Sequence, residues 1–262
     1  MINRDVKLPL EGINIAGRLY LPDEADLVPY PVVCVCHGLP SGRSSAPDDG
    51  GYPRLAERIC AQGFAVFIFS FRGTGTSGGN LDMPGWTRDL TAAIDYLYTL
   101  FEVDRSRLSL LGFSAGAAVS VRLAAGDSRV SSVVACACPA DFNLGGSGLT
   151  LEHFRNIGTI RDDDFPSSTE EWLKGFEAVS PARYVAEIAP RPLLLVHGGL
   201  DETVNVSQAY QMYLKAGQPK QIIVIDGAGH RLRQNDIAMS IVVDWLKSLS
   251  RYQPSQAQQI DL

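Results

Sequence analysis

Gly112-Phe113-Ser114-Ala115-Gly116 stands directly after the apolar run 108–111 and leads straight into Ala117-Ala118-Val119. A serine between glycines, at the junction of a predicted strand and a predicted helix, has the layout of a nucleophile elbow. In such a turn the central residue takes a strained backbone, and side chains on its neighbours would collide with the strand and the helix. The chemistry on offer is attack by the Ser114 hydroxyl on an electrophilic carbon. The free N–H groups and positive end of the following helix would face the charge that develops.

A serine hydroxyl is a weak nucleophile at neutral pH. It needs a base within hydrogen-bond reach and an acid that fixes the tautomer of that base. Four histidines are available. His230, in Asp226-Gly227-Ala228-Gly229-His230, follows the last predicted strand on a glycine-loosened loop and is the expected base. His37 and His197 each precede a glycine at a strand end, and His153 lies in an irregular segment. Asp201, in Gly198-Gly199-Leu200-Asp201, follows another strand end and completes the chain order Ser, Asp, His. Asp226 and Glu202 compete for the acid's place. Asp226 is too near His230 in the chain to meet its ring comfortably, and Glu202 is expected to face away.

Two N–H donors should face the oxyanion, since losing one costs on the order of 10²–10³ in kcat. The backbone of Ala115, next after the serine, supplies one. The other is expected from Leu39 in His37-Gly38-Leu39-Pro40, where Gly38 permits close approach and Pro40 has no N–H to give.

These residues need a scaffold that brings distant strand ends to one rim. Predicted strands and helices alternate, which implies a mostly parallel sheet with helices on both faces. A hairpin is expected over 6–21 with its turn at Glu11-Gly12, and strands over 31–36, 65–71, 108–111, 130–138, 193–196 and 221–225. Helices are expected over 52–62, 85–101, from the elbow to 125, over 206–216 and over 235–249. Leu90, Ile94, Leu97 and Phe101 mark the buried face of the second of these. Residues 1–140 and 185–250 would form the core, and 251–262 a mobile tail. Segment 141–184 is too long for an ordinary connection and is expected to form a small cap, with a short helix near 170–176 and an acidic triplet, Asp162-Asp163-Asp164, in solvent. Its Phe142, Leu144, Leu149, Phe154 and Trp172, together with His37, are candidates for a substrate pocket or for cap core.

A chain of 262 residues, 45% hydrophobic, can bury a sizeable core as one domain. Its net charge of −6 and lack of a basic cluster argue against a nucleic-acid surface. With no apolar run long enough for a bilayer and no secretory pattern at Met1-Ile2-Asn3-Arg4, a soluble cytoplasmic protein without a membrane partner is expected. The cysteines Cys34, Cys36, Cys60, Cys136 and Cys138 read as small buried hydrophobes, and the C-x-C pairs lack further ligands at zinc spacing. Gly73-Thr74-Gly75-Thr76-Ser77-Gly78 matches a dinucleotide fingerprint. However, Asn80, Asp82, Met83 and Pro84 separate it from the next helix, so a flexible loop beside the pocket is expected, with Arg72 paired structurally.

Taken in order, His37-Gly38-Leu39, Phe71-Arg72-Gly73-Thr74-Gly75-Thr76-Ser77, Gly112-Phe113-Ser114-Ala115-Gly116, Ser180-Pro181, His197-Gly198-Gly199-Leu200-Asp201 and Gly227-Ala228-Gly229-His230 resemble the α/β-hydrolase superfamily. The nearest likeness by motif is to bacterial carboxylesterases of the feruloyl/cinnamoyl esterase and dienelactone-hydrolase-like groups, although dienelactone hydrolases proper carry a cysteine where Ser114 stands. The resemblance implies a sheet of about eight strands, a Ser-His-Asp hydrolase of small to medium carboxylic esters working through an acyl-enzyme, and a cap that governs substrate choice. It also implies that the strands bearing the two cysteine pairs are separated by the elbow strand, leaving all five thiols free. No metal or organic cofactor is needed for such chemistry. The expected partner is a small-molecule ester, and a homodimer is left open. A peptidase or amidase, an acyltransferase, and a receptor that only binds its ligand are the other readings this fold allows.

Overall fold

The computed structural model describes residues 1–23, 29–42, 49–142 and 150–251. Leu144, Leu149 and the tail 252–262 lie outside the described residues. Eight strands form one sheet: β1 (Ile2–Leu10), β2 (Ile13–Leu21), β3 (Tyr30–Cys36), β4 (Ala65–Phe69), β5 (Val103–Phe113), β6 (Ser132–Cys136), β7 (Leu193–Gly198) and β8 (Lys220–Ile225). Their spatial order is β1-β2-β4-β3-β5-β6-β7-β8. β1 and β2 pair antiparallel, as do β2 and β4, and the remaining neighbours are parallel. The hairpin closes on Glu11 and Gly12, both at positive φ (52° and 79°), the two-residue turn whose twist matches that of the strands.

The inner parallel strands β3, β6 and β7 are buried on both faces, which is why they read as continuous apolar runs. Helices α2 (Met83–Thr99) and α3 (Ala115–Gly126) contribute to one core; α1 (Gly51–Cys60) and α7 (Asp236–Arg251) contribute to the other. α6 (Ser207–Lys215) adds Met212 to the α2/α3 side. Among the described residues no helix is long and apolar enough to cross a membrane.

Several expected boundaries move, each for a local reason. α2 begins at Met83 because Asp82 caps it, its carboxylate accepting from the Gly85 N–H at 2.7 Å with Pro84 in the first turn. It ends at Thr99, since Leu100 is extended, and this leaves Phe101 80% exposed beyond the helix rather than on its buried face. β5 starts at Val103, ahead of the expected 108, through the polar stretch Asp104-Arg105-Ser106-Arg107. β3 and β6 flank β5, so Cys34 and Cys36 are separated by the elbow strand from Cys136, which ends β6, and from Cys138, which lies just past the end of that strand rather than within it, and all five thiols are free and buried.

Among its described residues, the segment 141–184 holds the α-helices α4 (Leu151–Asn156) and α5 (Thr169–Ala178), capped by the hydroxyls of Thr150 and Ser168. α4 was not expected: six residues are too few to show a period, although Thr150 ahead of Leu151 is a capping signal. Phe154, Trp172 and Phe176 are buried against one another, with ring centroids 5.0–6.3 Å apart, and join the α2/α3 core.

The loop 73–81, expected to be flexible, is tied on both sides. Gly78 N–H donates to Asn14 O, and Ala16 N–H to Ser77 Oγ, so the hairpin holds one flank. On the other flank Leu81 N–H meets Thr159 O at 2.8 Å, Arg161 Nη1 meets Ser77 O at 2.6 Å, and Arg161 N–H meets Asn80 Oδ1 at 2.7 Å. Asp162, the first acid of the exposed triplet, accepts from Asn80 Nδ2 at 2.8 Å instead of facing water alone. Arg72 is buried and paired. It donates to Asp89 through Nε (2.9 Å) and Nη2 (2.8 Å), and to Glu11 through Nη1 (2.9 Å).

Candidate active site

Close packing of backbone shapes the elbow. Ser114 has φ 53° and ψ −122°, and its N–H donates to Cys136 O at 2.8 Å. A Cβ on Gly112 would lie 2.3 Å from Ala117 Cα, and one on Gly116 would lie 2.3 Å from His37 O. Backbone stands at both places, so neither could give way. α3 starts at Ala115, and its first turn closes by Ala117 and Ala118 N–H bonds to Ser114 O.

The structure brings Ser114, His230 and Asp201 into one hydrogen-bonded row. His230 Nε2 is 3.1 Å from Ser114 Oγ, and its Nδ1 is 2.8 Å from Asp201 Oδ2. A carboxylate only accepts, so Nδ1 carries the proton and Nε2 is left to accept from the serine hydroxyl. The His230 side chain is 24% exposed and that of Asp201 0%. Burial by itself would raise the Asp201 carboxyl. The hydrogen bonds from His197, His230 and the Val204 amide outweigh it and hold the group well below the usual carboxylate range. Asp226 and Glu202, the competitors, are both exposed.

Leu39 and Ala115 are the expected oxyanion donors. Among the described residues neither N–H donates to any acceptor of the protein. Gly38 brings the first of these loops against the serine: a Cβ there would lie 3.0 Å from Ser114 Cβ and 3.1 Å from Phe113 O. His37, a pocket candidate from its sequence position, has both ring nitrogens occupied by the protein. Its Nδ1–H donates to Gly38 O at 2.8 Å, and its Nε2 accepts from Phe71 N–H at 3.0 Å, with Thr74 Oγ1 3.1 Å away. Burial, outweighing the bond to Gly38 O, pushes this imidazole below its ordinary value, so it stays neutral and braces the loop that carries Gly38 and Leu39. Tyr52 and Trp86 pack on the same ring, and burial pushes the Tyr52 phenol up to about 12.

Of the other pocket candidates, Phe142 is partly buried with its ring 5.7 Å from that of Phe176. Phe154 and Trp172 are buried in the α2/α3 core, and Trp172 donates its Nε1–H to Leu81 O at 2.8 Å, so neither presents a face to a ligand. Sequence reading passed over the roles of His197, Thr74 and Tyr52. His197-Gly198 had signalled only a strand end, and the ring contacts made by Thr74 and Tyr52 join residues far apart in the chain. Among the described residues no three or more His, Cys, Asp or Glu side chains cluster as a metal site would require.

A sheet in this strand order, with a serine elbow after β5 and an acid and a histidine after β7 and β8, defines an α/β hydrolase. The profile of the prolyl oligopeptidase family matches residues 55–251, and the chain belongs to that family. It is 27% identical over 274 residues to the uncharacterized protein PA2218 of Pseudomonas aeruginosa, an alignment covering 84% of this chain and 72% of that one. Among solved structures, the α/β hydrolase GrgF from Penicillium sp. sh18 superposes with a TM-score of 0.73 at 19% identity, covering 95% of this chain and 99% of its own. Est1E from Butyrivibrio proteoclasticus, solved with ferulic acid bound, gives 0.69 at 17% identity, covering 94% and 97%.

Proposed function

We propose that this hydrolase is a serine carboxylesterase that cleaves small to medium esters through an acyl-enzyme. The observation that carries the reading is the unbroken row Ser114 Oγ, His230 Nε2 and Nδ1, Asp201 Oδ2 at 3.1 and 2.8 Å, ending on a fully buried carboxylate. As Ser114 Oγ bonds to the acyl carbon, its proton passes to His230 Nε2, and the former carbonyl oxygen takes the negative charge toward the Leu39 and Ala115 N–H groups. Collapse of the tetrahedral adduct breaks the ester C–O bond, and the departing alcohol leaves with the proton held by His230. Water then attacks the acyl-enzyme by the same steps in reverse. His230 takes the proton of the water and returns it to Ser114, and the carboxylic acid is released.

Membership in the prolyl oligopeptidase family favours a second reading, amide or peptide hydrolysis by the same residues. A recognition site for a free amino terminus calls for paired acids. The adjacent acids of the cap, Glu170 and Glu171, are exposed and spend their charge on Lys174 at 2.8 and 3.0 Å, which supports the ester reading. Hydrolysis of p-nitrophenyl acetate and butyrate, set against an aminoacyl p-nitroanilide, tests the two. The expected result is ester turnover that falls about 10⁴-fold or more in Ser114→Ala, with the anilide turned over far more slowly. Ester hydrolysis that survives Ser114→Ala would overturn the proposal, and preferential cleavage of the anilide would replace it with the amidase reading.

A further inference from the structure

The acid of the row touches two imidazoles, not one. His197 ends β7 with its side chain 1% exposed, and its Nε2 lies 2.8 Å from Val204 O and 3.4 Å from Asp201 Oδ2. A carbonyl oxygen can only accept, so Nε2 carries the proton of this ring and presents it to the carbonyl and the carboxylate together. We infer that His197 is a positioning residue for Asp201, closing the turn 201–204 around the carboxylate so that Oδ2 stays aimed at His230. This rests on the hydrolase reading above.

The turn is knotted through Val204. Its N–H donates to Asp201 Oδ1 at 2.8 Å, beside the Thr203 N–H at 2.9 Å, while its carbonyl accepts from His197. The imidazole therefore holds the residue that orients Oδ1 and adds a donor beside Oδ2. His197 and His230 are the titratable groups at hydrogen-bonding distance from the carboxylate among the described residues, and Glu202, next in the chain, is exposed. The spacing His197-Gly198-x-x-Asp201 acquires a physical meaning. The histidine braces the acid four residues on. The glycine lets the loop that carries His230 press against β7, since a Cβ on Gly198 would lie 2.4 Å from Ala228 O and 2.5 Å from Gly229 O. Leu200 N–H bonds Ala228 O at 2.9 Å and joins the two loops.

Replacing His197 by Gln keeps an N–H donor near the place of Nε2, whereas Leu or Met fills the space without one. Expected in His197→Leu is a kcat for p-nitrophenyl butyrate lowered about ten- to a hundredfold, the scale of a lost hydrogen bond to a charged group, with KM within about twofold. The acidic limb of the kcat profile should also move to higher pH, because the Asp201 carboxylate, with one donor fewer, turns more of its charge toward the His230 Nδ1–H. His197→Gln should restore kcat to within about threefold of the parent, and the limb with it. His197→Met replaces the Leu variant if that chain does not fold. A folded donor-less variant with parental kcat and limb would overturn the inference, and so would a Gln variant that loses as much as Leu. The downfield proton resonance of the His230 Nδ1–H bond to Asp201 gives a reading free of turnover. It should weaken in His197→Leu or His197→Met and persist in His197→Gln even if no ester or amide proves to be a substrate, and an unchanged resonance in the donor-less variant overturns the inference.

Discussion

The rim of the sheet around Ser114 and the described residues of segment 141–184 are built on different principles. At the rim, backbone lies so close that Gly112, Gly116 and Gly198 have no room for a methyl group and Gly38 has little, and geometry follows from steric exclusion. In segment 141–184, Phe154, Trp172 and Phe176 pack on one another, and Thr159 and Arg161 are joined to loop 73–81 by hydrogen bonds to Leu81, Asn80 and Ser77. Exclusion fixes atoms to a fraction of an ångström and fails abruptly. Hydrogen bonds made at the surface tolerate change and fail gradually. The covalent chemistry proposed above needs the first.

That contrast predicts a descending series of effects. Asp201→Asn should lower kcat about 10⁴-fold, because an amide can hold His230 in the wrong tautomer while leaving the fold intact. The same variant tests pH dependence. The folded-state pKa of Asp201 is depressed, so its contribution to stability is present above the unfolded value near ~3.9 and is lost as pH falls toward the folded value. Urea titrations should therefore show the parent losing more stability than Asp201→Asn below about pH 4, and a constant gap would refute the depressed value. Arg72→Met strands the Asp89 carboxylate, which is 0% exposed, and should cost about 3–5 kcal/mol in chemical denaturation. Gly116→Ala drives a methyl group into His37 O and Cys36 O and should cost about 3 kcal/mol along with most of the activity. A Gly116→Ala protein that stayed stable and active would show that the rim is less rigid than its contacts demand.

The same division explains what could be read from the sequence. Ser114, Asp201 and His230 each follow a strand end within a short glycine-bearing motif, so their places were legible from local chemistry, and the structure sets them 2.8–3.1 Å apart in a row. The bonds of loop 73–81 run to Asn14, Ala16, Thr159 and Arg161, residues far off in the chain, so glycine content suggested a flexible loop where long-range contacts hold an ordered one. Phe101 continues the helical spacing of Leu90, Ile94 and Leu97, and periodicity cannot see that Leu100 has already left the helix. Phe154 and Trp172 posed a similar problem, because an aromatic residue in a cap reads the same whether it faces a ligand or a neighbour. The brace on Asp201 was hidden differently: His197 was visible, but its partner Val204 lies seven residues on, across a turn whose closure only coordinates reveal.

Arg161→Ala is the mildest test of the comparison. The side chain is exposed and donates to Ser77 O at 2.6 Å, Gly75 O at 3.2 Å and Gly158 O at 3.2 Å, joining residues 158–161 to the loop that also carries Thr74. Bonds made at the surface exchange readily with water, so the loss should be about 1 kcal/mol. The backbone bond from Leu81 to Thr159 and the Asn80 amide remain to hold these residues. Hydrogen exchange should quicken at 158–162 and 75–81 while the amides of β5 and α3 stay protected, and kcat should remain within about twofold of the parent. A larger fall in kcat would mean that strain in loop 73–81 passes through Thr74 and His37 to Gly38, tying segment 141–184 and rim into one mechanical unit.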